Sequence, residues 1–318
     1  MRARGKFDPD ALKDRLGTFS ATGAPIAPAL SEEYRRFYHL DFEQVAPGWQ
    51  HHMGWLSDGS ERLMVQLFVP QHSVGSAVFC HGYFDHVGLF EHVLRYLLSK
   101  RLTVLAFDQP GHGLSTGERA TIESFARYVQ ALQRCLTTSQ ALLPRPCFGV
   151  GQSMGGAILL EHSLTHDWRF DDVVLFAPLV RPAHWGVNRL LYEVAKRTVT
   201  ERPRAITANA ENSEFLALQQ VDPLAPMRLP VAWVTAMVDW MRVFEKRQSL
   251  PQIPKVIQGD ADQTVAWRYN IKVLQRLVAP AALPLLEIPK GRHHLANESQ
   301  PLREMIWQWL DEVVDWPG

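Results

Sequence analysis

The sequence CFGVGQSMGGAILLEHSL at residues 147–164 decides the fold. Its first residues, Cys147–Val150, form a short apolar run typical of a buried strand, and the pattern predicts a helix over Met154–Thr165. Between them GQSMG matches G-x-S-x-G, a sharp turn between strand and helix that exposes a serine hydroxyl. Glycine is required on both sides because a side chain there would collide with the tightly folded backbone. We therefore expect Ser153 to stand at the carboxyl edge of a sheet.

A second match to the same pattern, GLSTG at residues 113–117, differs in its context. Ser115 lies in the glycine-rich stretch 108–119, with no strand immediately before it and charged residues after it. The motif is meaningful only between a strand and a helix. We therefore interpret Ser153 as the nucleophile and Ser115 as a loop residue.

Outward from this unit, short apolar runs alternate with longer helical ones from about residue 62, which is typical of a mostly parallel sheet covered by helices on both faces. The sequence therefore predicts an α/β fold. The predicted strands are Arg62–Val69, Ser76–Cys80, Leu102–Phe107, Cys147–Val150, Asp172–Phe176, Lys255–Gln258 and Leu283–Ile288. The predicted helices are His86–Lys100, Ile122–Leu142, Met154–Thr165, Thr264–Val278 and Leu302–Val314.

The alternation breaks at about residues 181–250, which we interpret as an insertion. Its last part, residues 231–247, reads VAWVTAMVDWMRVFEKR and is apolar on nearly every face of a helix. Such a helix must be covered on several sides. Two interpretations stay open: simple burial between insertion and core, or a contribution to an apolar pocket from residues such as Trp233, Met237 and Trp240.

A serine hydroxyl needs an imidazole to take its proton and a carboxylate to orient that imidazole. In folds that carry this G-x-S-x-G turn, the acid and then the histidine follow the serine along the chain. Beyond the last predicted strand only His293 and His294 qualify as the base, and adjacent loop side chains generally point apart. For the acid, Asp260 and Asp262 follow the strand Lys255–Gln258; we favour Asp262 and interpret Asp260 as a turn residue that accepts backbone N–H groups.

Acyl transfer also requires backbone donors aimed at the developing oxyanion. The N–H of Met154 follows the nucleophile at a helix N-terminus. The second donor should come from the loop after Ser76–Cys80, where we predict the N–H of Tyr83. His81 precedes the serine, and we interpret it as a structural residue of that loop.

Several motifs in this order resemble the monoacylglycerol lipase and lysophospholipase branch of the α/β-hydrolases, which also includes proteins called serine aminopeptidases. The likeness covers roughly residues 63–314. It rests on HGYFDHVG at 81–88, FDQPGHGLSTGER at 107–119, GQSMGG at 151–156, APLV at 177–180, DPL at 222–224, QGDADQTV at 258–265 and GRHHLANE at 291–298.

The resemblance implies that Asp262 is the acid and His293 the base. It also implies an α/β-hydrolase fold with a helical cap between strands six and seven, here 181–250, over an acyl-binding channel. The chain departs from the family at Tyr83, where many members carry a small residue, and at His294. The tyrosine would narrow the acyl entrance.

This gives a domain prediction of an N-terminal extension at 1–60 packed on the core, a core at 61–180 and 251–318, and a cap at 181–250. The predicted substrate-binding residues are Phe84, Trp233, Met237 and Trp240. The predicted activity is hydrolysis of a single-chain lipid ester, a lysophospholipid or monoacylglycerol, through an acyl-enzyme on Ser153. We expect no metal and no organic cofactor.

The sequence bears on four alternatives to a lipid esterase. A short-chain carboxylesterase would use the same triad, as would an aminopeptidase or amidase, which would need acidic residues for a free amine; Glu201, Glu211 and Glu214 keep that reading open. Dehalogenases and epoxide hydrolases of this fold carry an aspartate at the elbow and are disfavoured by Ser153. A non-enzymatic binding scaffold would usually lack a triad member.

Composition limits the partners and the compartment. Lys plus Arg and Asp plus Glu both number 33, so there is no overall charge to attract nucleic acid or an anionic membrane. The basic start, residues 1–6, lacks the apolar region of a secretory signal. No apolar run is long enough to span a membrane, and the three cysteines are few and widely spaced. We expect a cytoplasmic protein, peripheral at the membrane at most, with transient contact to its surface.

Overall fold

A computed structural model describes residues 5–20, 28–205 and 207–318. The strands are β1 Gln50–Asp58, β2 Glu61–Val69, β3 Gly75–Cys80, β4 Leu102–Phe107, β5 Cys147–Gln152, β6 Asp172–Phe176, β7 Glu201–Pro203, β8 Arg228–Pro230, β9 Lys255–Gly259 and β10 Leu285–Ile288. The helices are α1 Pro9–Arg15, α2 Pro28–Tyr38, α3 Glu91–Ser99, α4 Phe125–Ser139, α5 Met154–Thr165, α6 Trp185–Ala195, α7 Ser213–Val221, α8 Val231–Phe244, α9 Trp267–Val278 and α10 Gln300–Val313.

Eight strands form one sheet in the order β1-β2-β4-β3-β5-β6-β9-β10. The pairs β1–β2 and β2–β4 are antiparallel, and all other neighbours are parallel. Successive residues of a strand face opposite sides, so Val173 and Leu175 of β6 join the core that contains α4, α5, α8 and α9, while Val174 and Phe176 join the core that contains α3 and α10. The predicted α/β-hydrolase fold is confirmed.

The strand that sequence patterning missed is β1. Its sequence, QHHMGWLSD, does not alternate polar and apolar residues. In the structure His51, His52 and Gly54 are nonetheless buried, because β1 pairs with β2 along all nine residues and its outer face is covered. Counting β1, the segment 181–250 follows the sixth strand of the sheet and precedes the seventh.

The N-terminal residues that the structure describes contribute to the core on the α3 side. Leu12 of α1, Leu16 just after it, Tyr34 and Tyr38 of α2, and Trp55 are all buried in that cluster. Trp55 donates its indole N–H to the carbonyl of Lys13 at 3.4 Å. Of the basic start at residues 1–6, residues 1–4 lie outside the described part of the chain.

Between β6 and β9 the chain forms α6, α7 and α8 and the two-stranded antiparallel sheet of β7 and β8. This small sheet was not predicted, since each strand is only three residues long. Arg181 and Glu245 close the two ends of this segment with a two-pronged ion pair at 2.8–2.9 Å. Polar contacts also join it to the rest of the molecule: Asp222 accepts from Tyr38 at 2.7 Å and pairs with His86 at 2.9 Å.

Among the described residues, no helix is both long enough and apolar enough to cross a lipid bilayer. Cys80, Cys135 and Cys147 are buried free thiols. Burial raises the pKa of Cys147 to about 11, so this thiol is uncharged near neutral pH.

Candidate active site

Ser153 occupies a strained turn at the end of β5. Its φ is +54°, a backbone conformation that is costly for a non-glycine residue and is typical of functional sites. The surrounding fold holds it there, since its N–H donates to Phe176 and its carbonyl accepts from Ala157 and Leu179. A Cβ at Gly155 would lie 1.9 Å from the carbonyl oxygen of Cys80, so only glycine lets β3 pass this close to the start of α5.

The three side chains singled out by chain order and resemblance meet at this turn. His293 Nε2 lies 2.9 Å from Ser153 Oγ, and His293 Nδ1 lies 2.8 Å from Asp262 Oδ2. Because Asp262 accepts at Nδ1, that nitrogen carries the proton and Nε2 is free to accept from the serine hydroxyl. Hydroxyl, imidazole and carboxylate therefore form one continuous hydrogen-bonded chain.

Asp262 is held as an anion by donors on both oxygens. Oδ1 accepts the backbone N–H groups of Thr264 and Val265 at 2.7 and 3.1 Å, and Oδ2 also accepts from the Gln258 amide at 3.1 Å. Burial acts to raise the pKa of Asp262, but His293 and these donors hold it below its ordinary value. In turn, burial acts to lower the pKa of His293, and the Asp262 charge outweighs it and raises that pKa.

Gln152, immediately before the nucleophile, fixes the position of the imidazole. Its side-chain amide donates to the backbone carbonyl of His293 at 2.9 Å, across 141 positions of sequence. Glu298, which is fully buried, accepts the N–H of Arg292 at 2.8 Å on the other side of His293. The sequence analysis missed both residues; the only signal was their place beside two of the motifs.

The second histidine of the tandem pair points elsewhere. The rings of His293 and His294 are almost perpendicular, at 89°, with centroids 6.5 Å apart. His294 Nε2 lies 3.0 and 3.1 Å from the two carboxylate oxygens of Asp85, in the loop after β3. Of the two imidazoles, only that of His293 contacts Ser153.

The loop after β3 lies directly against the nucleophile. A Cβ at Gly82 would lie 3.5 Å from the Cβ of Ser153, which places the following residue, Tyr83, beside the hydroxyl. His81 braces this loop as predicted, because its Nε2 accepts from Gln109 N–H and its Nδ1 donates to the carbonyl of Gly82, both at 2.8 Å. Met154 opens α5 at the opposite side of Ser153.

A cavity of about 440 Å³ opens onto Ser153 and His293, a size typical of small-molecule sites. Three of the four predicted binding residues, Phe84, Trp233 and Met237, line it, and the Trp233 ring stacks on Tyr83 at 3.5 Å. Trp240 does not line it, which corrects the prediction for that residue. Trp240 lies seven residues, about two turns, beyond Trp233 on α8. Its ring stacks on Phe125 of α4 and its indole N–H donates to Glu161 of α5, so it packs against these two helices instead.

Other sequence predictions can be placed against this geometry. Ser115 is a loop residue, since its hydroxyl accepts from Met64 N–H and donates to the carbonyl of Asp108. Asp260 accepts the N–H of Lys290, as expected of a turn residue. Among the described residues that line the cavity Asp85 is the sole carboxylate, so Glu201, Glu211 and Glu214 do not supply an amine site there.

The chain is similar to known proteins along most of its length. The family model described as serine aminopeptidase, S33 matches residues 71–300. A monoacylglycerol lipase from Mycolicibacterium smegmatis is 27% identical over 270 residues, which cover 81% of this chain and 93% of that protein. A monoglyceride lipase from Rattus norvegicus is 31% identical over 247 residues, which cover 74% of this chain and 80% of that protein.

Among solved structures, a soluble variant of the monoglyceride lipase from Saccharomyces cerevisiae superposes with a TM-score of 0.69 at 17% identity, covering 81% of this chain and 94% of that one. The monoacylglycerol lipase of Paleococcus ferrophilus gives 0.67 at 19% identity, covering 79% and 98%. At these identities the likeness establishes the fold.

Proposed function

We propose, from its place in the serine aminopeptidase S33 family of α/β-hydrolases, that this chain cleaves single-chain lipid esters through an acyl-enzyme on Ser153. The chain belongs to the monoglyceride lipase-like branch of that family and is a serine ester hydrolase. The observation that carries the proposal is the series of hydrogen bonds from Ser153 through His293 to Asp262, at the base of a largely apolar cavity that Ser153 and His293 line. The substrate would be a monoacylglycerol or a lysophospholipid.

In the first half of the reaction, Ser153 Oγ attacks the ester carbonyl carbon while His293 Nε2, 2.9 Å away, takes its proton. The carbonyl oxygen becomes negative and is stabilised by the N–H groups of Tyr83 and Met154. When the tetrahedral intermediate collapses, the carbon–oxygen bond to the alcohol breaks and His293 returns the proton to the departing oxygen. Ser153 is left carrying the acyl group.

In the second half, His293 takes a proton from a water molecule, which attacks the acyl carbon. Collapse of this second intermediate breaks the bond to Ser153 Oγ, returns the proton to the serine and releases a fatty acid. Asp262 stays ionised throughout and stabilises the imidazolium that forms twice per cycle. The depressed pKa of Asp262 agrees with this role.

Two observations support a lipid substrate. Leu179, Trp185, Leu191 and Met237 give the cavity an apolar wall that suits an acyl chain. The relatives that cover most of this chain are named monoacylglycerol or monoglyceride lipases.

We expect kcat/KM for p-nitrophenyl esters to rise at least tenfold as the acyl chain lengthens from two to eight or more carbons, because each buried CH₂ contributes about 0.8 kcal/mol. Best activity on the acetate would contradict the lipid substrate.

The protein would meet its substrate through α6, beside the mouth of the cavity. Val187, Leu190, Leu191 and Val194 are between 62% and 71% exposed, and Leu191 also lines the cavity. Arg189 and Arg197 lie on the same segment, where cations favour an anionic lipid surface. We therefore expect Leu190→Asp to hydrolyse monooleoylglycerol in anionic vesicles more slowly than the wild type, while its hydrolysis of a monomeric p-nitrophenyl ester stays the same. The measurement is the ratio of the two rates.

The pH dependence follows from the His293–Asp262 pair. His293 must be neutral to accept the serine proton, and its pKa is raised above the ordinary 6.5. We therefore expect kcat/KM for p-nitrophenyl butyrate to fall about tenfold per pH unit on the acid side, with a midpoint above 6.5. Asp262→Asn should lower that midpoint because the stabilising charge is gone. A wild-type midpoint at or below 6.5 would contradict the assigned base.

A further inference from the structure

The walls of the cavity differ in chemistry. Helices α6 and α8 supply its apolar residues, whereas the stretch around β7 supplies Arg202, Arg204, Thr207 and Asn209. Among the described residues that line the cavity, two arginines and one aspartate are charged, so positive charge is in excess. A neutral glycerol head group would need only hydroxyl and amide partners, so the cations require another explanation.

Arg204 is the better placed of the two arginines. Arg202 is exposed, while Arg204 is half-buried with its guanidinium carbon 4.4 Å from the centre of the Phe84 ring. Its backbone N–H donates to Met227, and one guanidinium nitrogen donates to the carbonyl of Pro226 at 3.3 Å. A guanidinium has five N–H donors. Stacking and one hydrogen bond thus hold this cavity-lining group, and its other donors have no hydrogen-bond partner among the described residues.

No carboxylate among the described residues lies within ion-pair distance of Arg204. The carboxylates that act on it from farther away, Asp85 and Asp222, are already engaged, by His294 and by Tyr38 and His86 respectively. Burial acts to lower the pKa of Arg204 and these charges partly oppose it, but a guanidinium stays charged. The cavity therefore holds a desolvated cation without a direct counter-ion.

Phe84, under the guanidinium, is part of the same loop as Tyr83, whose N–H is assigned to the oxyanion. Phe84 has φ +69°, so its ring is held by an unfavourable backbone conformation. This links the arginine to the reaction centre through two adjacent residues. An anion bound at Arg204 would lie on the loop side of the scissile ester, opposite the apolar wall.

We propose that Arg204 binds the phosphate of an anionic, single-chain lipid, so that the preferred substrate is a lysophosphatidate-like ester in place of a neutral monoacylglycerol. The inference rests on the proposed lipid esterase function. A guanidinium matches phosphate oxygens with two parallel hydrogen bonds, and such charge-assisted pairs are among the stronger polar contacts.

The test compares two substrates that share an acyl chain, 1-oleoyl-lysophosphatidate and 1-monooleoylglycerol. Wild-type protein should give the higher kcat/KM on the lysophosphatidate. Arg204→Gln should lower the ratio of the two kcat/KM values about tenfold to a hundredfold, as expected for loss of hydrogen bonds to a charged group. Arg204→Lys, which keeps the charge and loses the planar fork, should give an intermediate ratio.

The matched control is Arg228→Gln, which removes a cation of the neighbouring strand that pairs with Glu201 outside the cavity. It should leave the ratio unchanged. An unchanged ratio in Arg204→Gln, an equal fall in Arg228→Gln, or a wild-type protein that cleaves only monooleoylglycerol would overturn the assignment. Inorganic phosphate is added as a competitor: because it can occupy the same guanidinium, it should lower the preference of the wild type and leave the ratio of Arg204→Gln unchanged, and an equal effect on both proteins would overturn the assignment.

Failure of this inference is distinguishable from failure of the proposed function. A protein that cleaves monooleoylglycerol but shows no Arg204-dependent preference keeps its lipid esterase function and loses only the head-group assignment. A protein that cleaves p-nitrophenyl acetate and neither lipid loses both.

Discussion

Ser153→Ala is expected to reduce ester hydrolysis by a factor on the order of 10⁶, as removal of the nucleophile does in other serine hydrolases. Without the hydroxyl no acyl-enzyme forms, although the oxyanion donors and the cavity remain. Within the described part of the chain the missing Oγ makes a single hydrogen bond, to His293, so little stability should be lost. The melting temperature is measured in parallel to separate inactivation from unfolding.

The direct measurement is covalent labelling with a fluorophosphonate probe. Wild-type protein should be labelled and Ser153→Ala should not. Ser115→Ala is the matched control, because Ser115 satisfies the same G-x-S-x-G pattern yet bonds only within the core. It should keep its labelling while losing about 1–3 kcal/mol of stability from two broken buried hydrogen bonds. Equal labelling of wild type and Ser153→Ala would refute the assigned nucleophile.

His293→Ala and His294→Ala are expected to separate activity from stability. The first should lower hydrolysis by about 10⁴ to 10⁶, since the general base is lost. Its effect on folding should be modest, because Asp262 keeps three other donors, from Gln258, Thr264 and Val265. The second should retain most fluorophosphonate reactivity but cost about 3 kcal/mol, because the buried carboxylate of Asp85 loses its imidazole partner.

The two histidine variants are measured by ester hydrolysis, labelling rate and thermal unfolding. The expected result is a crossed pattern, with one variant inactive and stable and the other active and less stable. If His294→Ala were the inactive one, the roles assigned to the tandem pair would be reversed. Similar losses in both variants would mean that the loop acts as a unit and that neither imidazole has a separate role.

Local patterns predicted the centre of the sheet well. Helix α5 and strands β4 and β6 have the predicted bounds, because each is a buried apolar run closed by turn residues. Strand β1 could not be found this way, since its burial comes from tertiary contacts that cover polar and small residues alike. The segment 181–250 was interpreted as an insertion from its broken alternation, and its helices α6 and α7 and its short sheet lack a strong periodic signal.

The site was predictable to the extent that chain order constrains it. Two aspartates and two histidines remained after the motifs were placed. Asp262 was favoured because Asp260 suits a turn, whereas only the resemblance favoured His293 over His294 before the geometry was known. Gln152 and Glu298 act through backbone groups of a distant loop, which no local pattern can reveal. Trp240 was wrongly assigned to the cavity because α8 has no polar face, so its sequence does not indicate which of its residues face the cavity.

The 140 positions between Ser153 and His293 have a consequence for the protein's synthesis. A ribosome that has just released the elbow still has Asp262, three strands of the large sheet and the histidine loop to make. Until those residues emerge the hydroxyl lacks its proton acceptor, so an unfinished chain is chemically inert toward the lipids around it. A polypeptide cut short before His293 would lack the general base, however much of the sheet it had assembled.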